Sequence, residues 1–300
     1  MNPDDKRFSA KQIITCILFL SILPAILFSQ SGKVYDNLTL KSKILDSERR
    51  YAIYLPPDYE TSGRAYPVLY LLHGGGDDQT GWVQFGEVLR ITDNAIRDGS
   101  ATPMVIAMPD ANTGRRGYFN DIKGDWRYED FFFDEFMPYI EKTYRIKGEK
   151  RYRAVAGLSM GGGGTFMYAL HRPDLFSSAC PLSASTGSRS ADELKQRMSR
   201  RNPDDVAGLP DSLFETYYKR HSALYLVENM PEEQLKKVRW YIDCGDGDFL
   251  FEGNSLIHIA MRKREIPHEY RVRDGEHTWT YWRASLPEVL KFVSDAFHQH

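Results

Sequence analysis

After residue 32 the chain alternates between short apolar runs and longer stretches with helical spacing of apolar residues. Eight runs have the length and composition of β-strands: Val34–Leu40, Arg49–Leu55, Pro67–Leu72, Met104–Met108, Tyr152–Gly157, Ser178–Ser183, Val238–Asp243 and His268–Arg273. The first two alternate polar and apolar residues, which predicts half-exposed antiparallel edge strands. The third and fourth are continuously apolar, as expected of parallel strands that are buried on both faces. The pattern therefore predicts a mostly parallel eight-stranded sheet.

Helical patterns fill the intervals between the predicted strands. One apolar stripe repeats at four-residue spacing: Phe132, Phe136, Ile140 and Tyr144. Pro138 interrupts this stripe, so we expect the helix to break or kink there. Further helices are predicted around Thr165–His171, Ser255–Arg264 and Leu286–His298. Strands and helices in alternation, with no internal repeat or long linker, predict one α/β domain over residues 31–300.

One segment departs from the alternation of strands and helices. Residues 189–237 are polar and charged, yet they include apolar and aromatic side chains such as Phe214 and Tyr217. The segment lies between two predicted strands and is longer than a simple crossover connection requires. We expect it to form a small helical cap over the sheet, and the alternative is a surface excursion without a role.

The amino terminus has the order of a secretory signal peptide. Lys6, Arg7 and Lys11 precede an uncharged apolar run of 16 residues, Ile13–Phe28, and small polar residues follow it. A membrane-spanning helix needs roughly 20 apolar residues, so this run is short for a span. We therefore predict a cleaved signal peptide over residues 1–30 and a secreted or periplasmic protein with no membrane span after cleavage. An uncleaved membrane anchor is the alternative.

The charge and cysteine content exclude several classes of function. The 39 basic and 41 acidic residues leave a formal net charge of −2, which gives no basic excess to drive nucleic-acid binding. Three cysteines are too few for a disulfide framework or a four-thiolate zinc site, and Cys180 and Cys244 fall in predicted buried strands, where we expect inert thiols. The chain contains no His-Glu-x-x-His or Cys-x-x-Cys sequence, so we expect neither a metal nor a cofactor.

A Gly-x-Ser-x-Gly sequence, Gly157-Leu158-Ser159-Met160-Gly161, provides a candidate nucleophile. An apolar strand precedes it, and small residues and then a helical pattern follow it, which is the context of a strand–turn–helix elbow. Such a turn exposes the hydroxyl of Ser159 at the carboxyl edge of the sheet, beside the amino terminus of a helix. The helix dipole there favours developing negative charge, so we predict that Ser159 is a catalytic nucleophile.

A second glycine cluster, His73-Gly74-Gly75-Gly76, ends the third predicted strand. Glycines there allow backbone N–H groups to approach a substrate oxygen closely. We assign an oxyanion hole to the N–H groups of Gly75 and of Met160, the residue after the candidate nucleophile. A phosphate-binding turn is the alternative, but the chain lacks the motifs that such turns carry.

The order of a serine hydrolase triad requires an acid and then a histidine after the serine. Five histidines follow Ser159 in predicted ordered structure: His171, His221, His258, His268 and His277. His277 lies in a loop directly after a strand, from which it can reach the sheet edge, and we predict that it is the base. For the acid, the loop after Val238–Asp243 offers Asp248, which we choose, and Asp246, which is the alternative.

Together these motifs resemble the esterase D and feruloyl-esterase type of α/β-hydrolase, the group that includes family 1 carbohydrate esterases, siderophore esterases and mycolyltransferases. The resemblance extends over about residues 38–292. It rests on Tyr54-Leu55-Pro56-Pro57, Leu71-Leu72-His73-Gly74, Gly157-Leu158-Ser159-Met160-Gly161-Gly162, Ile242-Asp243-Cys244-Gly245 and the terminal Gly-x-His. It implies the α/β-hydrolase fold and the roles given above: nucleophile Ser159, acid Asp248, base His277, and oxyanion donors Gly75 and Met160.

The resemblance implies a serine ester hydrolase that removes acetyl or feruloyl groups from carbohydrates derived from plant polysaccharides. The expected partner is thus a small-molecule or oligosaccharide ester. A siderophore-type esterase and an acyltransferase could use the same triad, and a carbohydrate-binding protein with a vestigial site is the non-enzymatic alternative. The loop 109–126 and the residues Trp82, Trp279 and Trp282 lie near the motifs, and aromatic side chains there suit sugars or aryl acids as well as they suit ordinary packing.

Overall fold

The structure, a computed structural model, describes residues 30–114 and 117–298. The predicted signal peptide falls outside these residues except for its last position, and it stays a prediction. Among the described residues, no helix combines the length and the apolar character that crossing a membrane requires.

Eight strands form a single sheet in this part of the chain. They are β1 Lys33–Ser42, β2 Ser47–Leu55, β3 Val68–Leu72, β4 Val105–Pro109, β5 Arg153–Leu158, β6 Ser178–Leu182, β7 Arg239–Gly245 and β8 His268–Arg273. Their order across the sheet is β1-β2-β4-β3-β5-β6-β7-β8. β2 is antiparallel to both β1 and β4, and the other neighbouring pairs are parallel. All eight predicted strands are therefore confirmed, with bounds that shift by a few residues at most.

Helices cover both faces of the sheet. They are α1 Gly81–Gln84, α2 Val88–Arg97, α3 Tyr128–Phe131, α4 Met137–Thr143, α5 Met160–His171, α6 Ala191–Arg201, α7 Asp211–His221, α8 Ala223–Asn229, α9 Glu232–Leu235, α10 Phe251–Lys263 and α11 Trp279–His298, with 3₁₀ turns at Lys150–Tyr152 and Pro203–Asp205. Alternate residues of β3 point to opposite faces, so Val68 and Leu69 belong to two different apolar clusters. One cluster includes residues of α5 and α10, and the other includes residues of α2 and α11.

The prediction of two half-exposed edge strands is confirmed for β1 and wrong for β2. β2 pairs with β4 as well as with β1, and its second half, from Tyr51 to Leu55, is buried. The first half of β2, Ser47–Arg50, is polar and alternates between half-buried and exposed positions. The apolar second half, Tyr-Ala-Ile-Tyr-Leu, is the part that pairs with β4 inside the sheet, where both faces are covered.

Pro138 does not break the helix that contains it. The chain stays helical from α3 through a π-helical turn at Phe132–Phe136 into α4, in which Pro138 is the second residue. Proline lacks the N–H that would bond to the carbonyl four residues earlier, and its ring crowds that carbonyl. A wider turn directly before the proline accommodates both effects without ending the helix.

The helices after β5, β7 and β8 begin earlier than the sequence pattern predicts, at Met160, Phe251 and Trp279. The first difference is the most informative, because glycine has a low helix propensity and the segment Gly161–Gly164 is nevertheless helical. A Cβ atom added at Gly162 would lie 2.7 Å from the carbonyl oxygen of Leu182, so close packing against the end of β6 explains this glycine.

The segment between β6 and β7 folds into the four helices α6 to α9, in agreement with the predicted helical insertion. It has a small apolar cluster of its own, in which Leu194 and Met198 of α6 pack with Phe214 and Tyr217 of α7. Ile122, from the loop after β4, completes this cluster. The helical insertion is therefore attached to a loop that follows another strand of the sheet.

The two cysteines of the described ranges are free and buried, as the sequence predicts. Burial raises the pKa of both thiols, and that of Cys244 reaches about 12. A thiol that is neutral and buried is a poor nucleophile.

The aromatic packing between the helical segment 128–143 and α5 gives a prediction for stability. Phe132 is fully buried and stacks on Tyr168 of α5, with the ring centroids 4.2 Å apart. We expect Phe132→Ala to lower the free energy of unfolding by about 3–5 kcal/mol, measured by urea denaturation, because it leaves a cavity. Tyr35→Ala is the control, since Tyr35 is 44% exposed, and its effect should stay within about 0.5 kcal/mol. Equal effects of the two substitutions would contradict this assignment.

Candidate active site

Ser159 occupies a strained turn between β5 and α5. Its backbone has φ 54° and ψ −112°, a conformation that residues other than glycine rarely adopt. Three backbone hydrogen bonds hold it: its N–H donates to the carbonyl of Leu182 at 2.9 Å, and its carbonyl accepts from Gly163 at 3.0 Å and Ser185 at 2.9 Å. The side chain therefore stands at the amino terminus of α5, as the predicted elbow requires.

Glycines beside Ser159 allow three segments of backbone to meet. A Cβ atom at Gly161 would lie 2.6 Å from the carbonyl oxygens of Leu72 and His73, and one at Gly157 would lie 2.6 Å from the carbonyl oxygen of Gly161. Distances this short exclude any side chain at either position. The absence of side chains at Gly157 and Gly161 therefore allows both the sharp turn and the close approach of β3.

His277 connects Ser159 to Asp248. The Nε2 atom of His277 lies 2.9 Å from the Oγ atom of Ser159, and its Nδ1 atom lies 2.8 Å from Oδ2 of Asp248. An ionised carboxylate only accepts hydrogen bonds, so Nδ1–H donates to Asp248 and Nε2 accepts from the Ser159 hydroxyl. The structure thus brings together the three side chains that the sequence singled out from the ends of three different strands.

The environment of Asp248 favours its ionised form. Burial by itself would raise the pKa of this carboxyl, but hydrogen bonds from the His277 ring, from the backbone N–H of Leu250 at 2.8 Å and from Ser183 outweigh burial and lower it. A carboxylate held in this way stabilises a positive charge on the neighbouring imidazole.

Asp246, the alternative acid, makes different contacts. Its Oδ1 atom accepts a hydrogen bond from the backbone N–H of Gly275 at 3.1 Å, and its own N–H donates to the carbonyl of Arg273. The N–H of Gly247 also donates to the carbonyl of Gly275, at 3.0 Å. Asp246 therefore ties the loop after β7 to the loop that carries His277, whereas Asp248 contacts the imidazole itself.

The sequence reasoning missed an ion pair beneath these loops, between the buried Asp243 and the partly exposed Arg273. Asp243, at 0% exposure, accepts a hydrogen bond from Arg273 at 2.6 Å and from the hydroxyl groups of Tyr241 and Tyr281. It joins the end of β7 to the end of β8 and to the first turns of α11. The sequence did contain a signal for this pair, an aspartate inside the apolar run Trp240–Cys244. A carboxylate in a buried strand requires a partner, so its position predicts an ion pair or hydrogen bonds.

The glycine loop after β3 lies against Ser159. A Cβ atom at Gly74 would be 3.6 Å from that of Ser159, and Gly75 is exposed at the next position. The ring of His73 anchors the loop: Nε2 accepts from the backbone N–H of Ala111 at 2.9 Å, which leaves Nδ1–H to donate to the carbonyl of Gly74 at 2.8 Å. Burial lowers the pKa of His73, in keeping with a neutral ring.

The other four candidate histidines have hydrogen-bond partners other than Ser159. His171 lies 2.6 Å from Glu129, His258 and His268 lie 2.8 Å from each other, and His221 contacts the carbonyl of Tyr217 at 3.0 Å. The choice of His277 from its position in the chain agrees with this arrangement.

A cavity of about 560 Å³ is lined in part by Met160, the residue after Ser159. Its wall on one side includes Met160 and Gly117, and on the other side it includes Leu194, Met198 and Tyr217 of the helical insertion. The volume is in the range of pockets that bind small organic molecules. Residues of the loop after β4 contribute to the lining, in agreement with the predicted position of that loop near the site.

Comparison with known sequences gives a family match and two informative relatives. The profile of the family described as "Putative esterase" matches residues 42–293. An esterase of Mycobacterium tuberculosis is 42% identical over 133 residues, which is 42% of this chain and 27% of that protein. An endo-1,4-beta-xylanase/feruloyl esterase of Xylanibacter ruminicola is 38% identical over 135 residues, 41% of this chain and 18% of that protein. The matched part thus spans about a quarter or less of these relatives.

Comparison with solved structures gives similarity over most of the chain. A ferulic acid esterase superposes with a TM-score of 0.78 and 35% identity, covering 89% of this chain and 99% of that one. An S-formylglutathione hydrolase of Staphylococcus aureus superposes with a TM-score of 0.68 and 20% identity, covering 88% and 99% of the two chains, and supports the fold alone. The predicted α/β-hydrolase fold with a mostly parallel eight-stranded sheet is confirmed.

The different contacts of Asp248 and Asp246 lead to a spectroscopic prediction. We expect the Nδ1 proton of His277 to give a strongly downfield resonance in the proton NMR spectrum, because it is shared with a buried carboxylate. Asp248→Asn should remove or shift this resonance, and the matched variant Asp246→Asn should retain it. A resonance that survives Asp248→Asn and disappears in Asp246→Asn would reverse the assignment.

Proposed function

The chain belongs to the esterase family, and from that premise we propose that it hydrolyses carboxylic esters with Ser159 as nucleophile, His277 as base and Asp248 as acid. The hydrogen-bonded series Ser159–His277–Asp248, standing at a strained strand–helix turn, is the observation that supports this proposal most strongly. The near-neutral surface charge offers no competing explanation through nucleic-acid binding.

The proposed reaction has two steps, which the contacts of His277 support. The Oγ atom of Ser159 attacks the ester carbonyl carbon while its proton moves to Nε2 of His277. Asp248 stays ionised, keeps the Nδ1–H tautomer and stabilises the imidazolium. The proton on Nε2 then passes to the departing alcohol oxygen, which leaves an acyl group on Ser159. A water molecule attacks this acyl-enzyme while His277 takes its proton. The imidazolium then returns the proton to Oγ of Ser159 as the bond to the acyl carbon breaks, which releases the carboxylic acid and restores the free serine.

The oxyanion formed in each step requires hydrogen-bond donors that are already in place. We propose the backbone N–H groups of Gly75 and Met160 for this role, since Gly74 packs against Ser159 and Met160 opens α5. A single such donor contributes roughly 3–4 kcal/mol to transition-state stabilisation. His73 acts indirectly, by holding the glycine loop in position through Gly74 and Ala111.

For the substrate we propose acetyl or feruloyl esters of xylan-type carbohydrates. Two relatives with the words feruloyl esterase or ferulic acid esterase in their names support this class. The cavity beside Met160 also supports it, because a volume of about 560 Å³ with mixed polar and aromatic lining accommodates an aryl acyl group. The predicted signal peptide would deliver the enzyme to the compartment in which such polymers occur.

Ester hydrolysis by the wild type and Ser159→Ala tests the proposed function. The substrates are p-nitrophenyl acetate, methyl ferulate, acetylated xylan and a siderophore ester. We expect the wild type to hydrolyse p-nitrophenyl acetate and at least one of methyl ferulate and acetylated xylan. In Ser159→Ala we expect kcat to fall at least about 1,000-fold, because a triad without its nucleophile retains only the oxyanion hole and binding.

Two results would count against the proposal. Wild-type activity in Ser159→Ala would exclude Ser159 as the nucleophile. Hydrolysis confined to the siderophore ester would leave the triad assignment in place but contradict the proposed substrate. Acyl transfer to an added sugar that exceeds hydrolysis would leave the triad assignment in place but contradict the proposed reaction.

A further inference from the structure

We propose that a row of aromatic side chains beside the triad binds the sugar rings of the alcohol portion of the substrate. This aromatic ridge comprises Phe249, Trp279 and Phe85, which reach the surface, together with the supporting rings of Trp82 and Trp282. The inference rests on the proposed function, in that it takes the substrate to be a carbohydrate ester, and it identifies where the carbohydrate lies.

The ridge begins at the triad itself. The ring centroid of Phe249, the residue after Asp248, lies 4.5 Å from that of His277. His277 is 4.9 Å from Trp282, and Trp282 is 5.4 Å from Trp279. Phe85 continues the series at 5.9 Å from Trp279. The ring contacts thus connect His277, through the buried ring of Trp282, to Trp279 and Phe85 at the surface.

Two members of the ridge expose aromatic surface to solvent instead of packing it in the core. Phe249 is 76% exposed and Phe85 is 48% exposed. Over residues 30–114 and 117–298 these are the two exposed phenylalanines, and both belong to the ridge. Clustered apolar surface beside a reactive centre marks a ligand-binding surface more often than a scattered apolar residue does.

The supporting rings are held by hydrogen bonds as well as by packing. The Nε1–H group of Trp82 donates to the carbonyl of Leu72 at 3.0 Å, and that of Trp282 donates to the hydroxyl of Ser183 at 3.0 Å. Trp279 packs edge to face against both tryptophans, at interplanar angles of 87° and 89°. A surface ordered before binding loses little conformational entropy when a ligand arrives.

The chemistry of the ridge indicates a neutral, hydroxylated ligand. Arg283, which flanks Phe85, is paired: its Nη1 atom donates to the carbonyl of Phe85 at 2.9 Å, and its Nε atom lies 3.6 Å from Glu87. The ridge thus offers flat apolar faces separated by polar edge groups such as the hydroxyl of Thr280. Sugar rings combine apolar C–H faces with hydroxyl edges, whereas an acyl chain fits a continuous apolar groove better.

The ridge and the cavity beside Met160 are lined by different residues, so the site presents two separate surfaces. An ester also has two substituents. We infer that the cavity receives the acyl group and that the aromatic ridge receives the sugar.

The test compares Phe85→Ala on a small and a large substrate. Phe85 is the member of the ridge farthest along the series from His277, so its truncation leaves the ring contact of Phe249 with His277 in place. We expect kcat/KM for an acetylated xylo-oligosaccharide to fall about five- to tenfold more than kcat/KM for p-nitrophenyl acetate, mainly through KM, since one aromatic contact is worth about this factor. Phe85→Trp should restore the ratio.

Tyr35→Ala provides the matched control, because Tyr35 is an aromatic residue of similar exposure, 44%, on β1. It should leave the ratio of the two activities unchanged. A Phe85→Ala ratio equal to that of the wild type would overturn the proposal, and so would a selective loss of activity on p-nitrophenyl decanoate, which would identify an aliphatic ligand.

A binding measurement separates this inference from the proposed function. Isothermal titration of unmodified xylohexaose into Ser159→Ala, with and without Phe85→Ala, should show weaker binding by about the same factor when Phe85 is truncated. If the wild type hydrolyses no ester, the proposed function fails and this titration still decides whether the ridge binds sugar. Equal binding by the two proteins, or no binding by either, would overturn the inference.

Discussion

The strained conformation of Ser159 is the constraint on which the rest of the site depends. A residue with φ 54° and ψ −112° costs about 1–3 kcal/mol, and it persists only where its surroundings fix it. Here β6 and the first turn of α5 supply the fixing hydrogen bonds, while Gly157 and Gly161 allow β3 to pack at backbone distance. The same close approach places the glycine loop after β3 beside the hydroxyl.

A second layer of structure places the partners of Ser159. The loops after β7 and β8 cross closely, and the hydrogen bonds of Asp246 and Gly247 to Gly275 hold them together. Beneath them, Arg273 neutralises the buried charge of Asp243, so the strand ends that lead to Asp248 and His277 are fixed to each other. A small shift of either strand would lengthen both contacts of the imidazole, which links the packing of the sheet edge to the chemistry proposed at its surface.

The sequence was sufficient to predict features that depend on neighbouring residues, and less sufficient for features that depend on contacts between distant parts of the chain. The continuous apolar runs of β3 and β4 identified buried strands, and chain order with loop position selected His277. The place of β2 inside the sheet depends on pairing with β4, more than 50 residues away, and alternation within β2 carries no sign of it. The sequence favoured Asp248 and kept Asp246 as the alternative, and the different contacts of the two carboxylates become visible only where the two loops cross. The buried Asp243 was visible in the sequence as a charge inside an apolar strand. That its partner is Arg273 is known only from the fold.

We infer that the geometry around Ser159 activates this hydroxyl above the other nucleophilic side chains of the protein. Treatment of the folded protein with a fluorophosphonate, followed by peptide mapping with mass spectrometry, measures this directly. We predict one adduct, on Ser159, formed in the native protein, absent after denaturation in urea and strongly reduced in His277→Ala. An adduct on another residue, or equal labelling of the native protein and of His277→Ala, would contradict it.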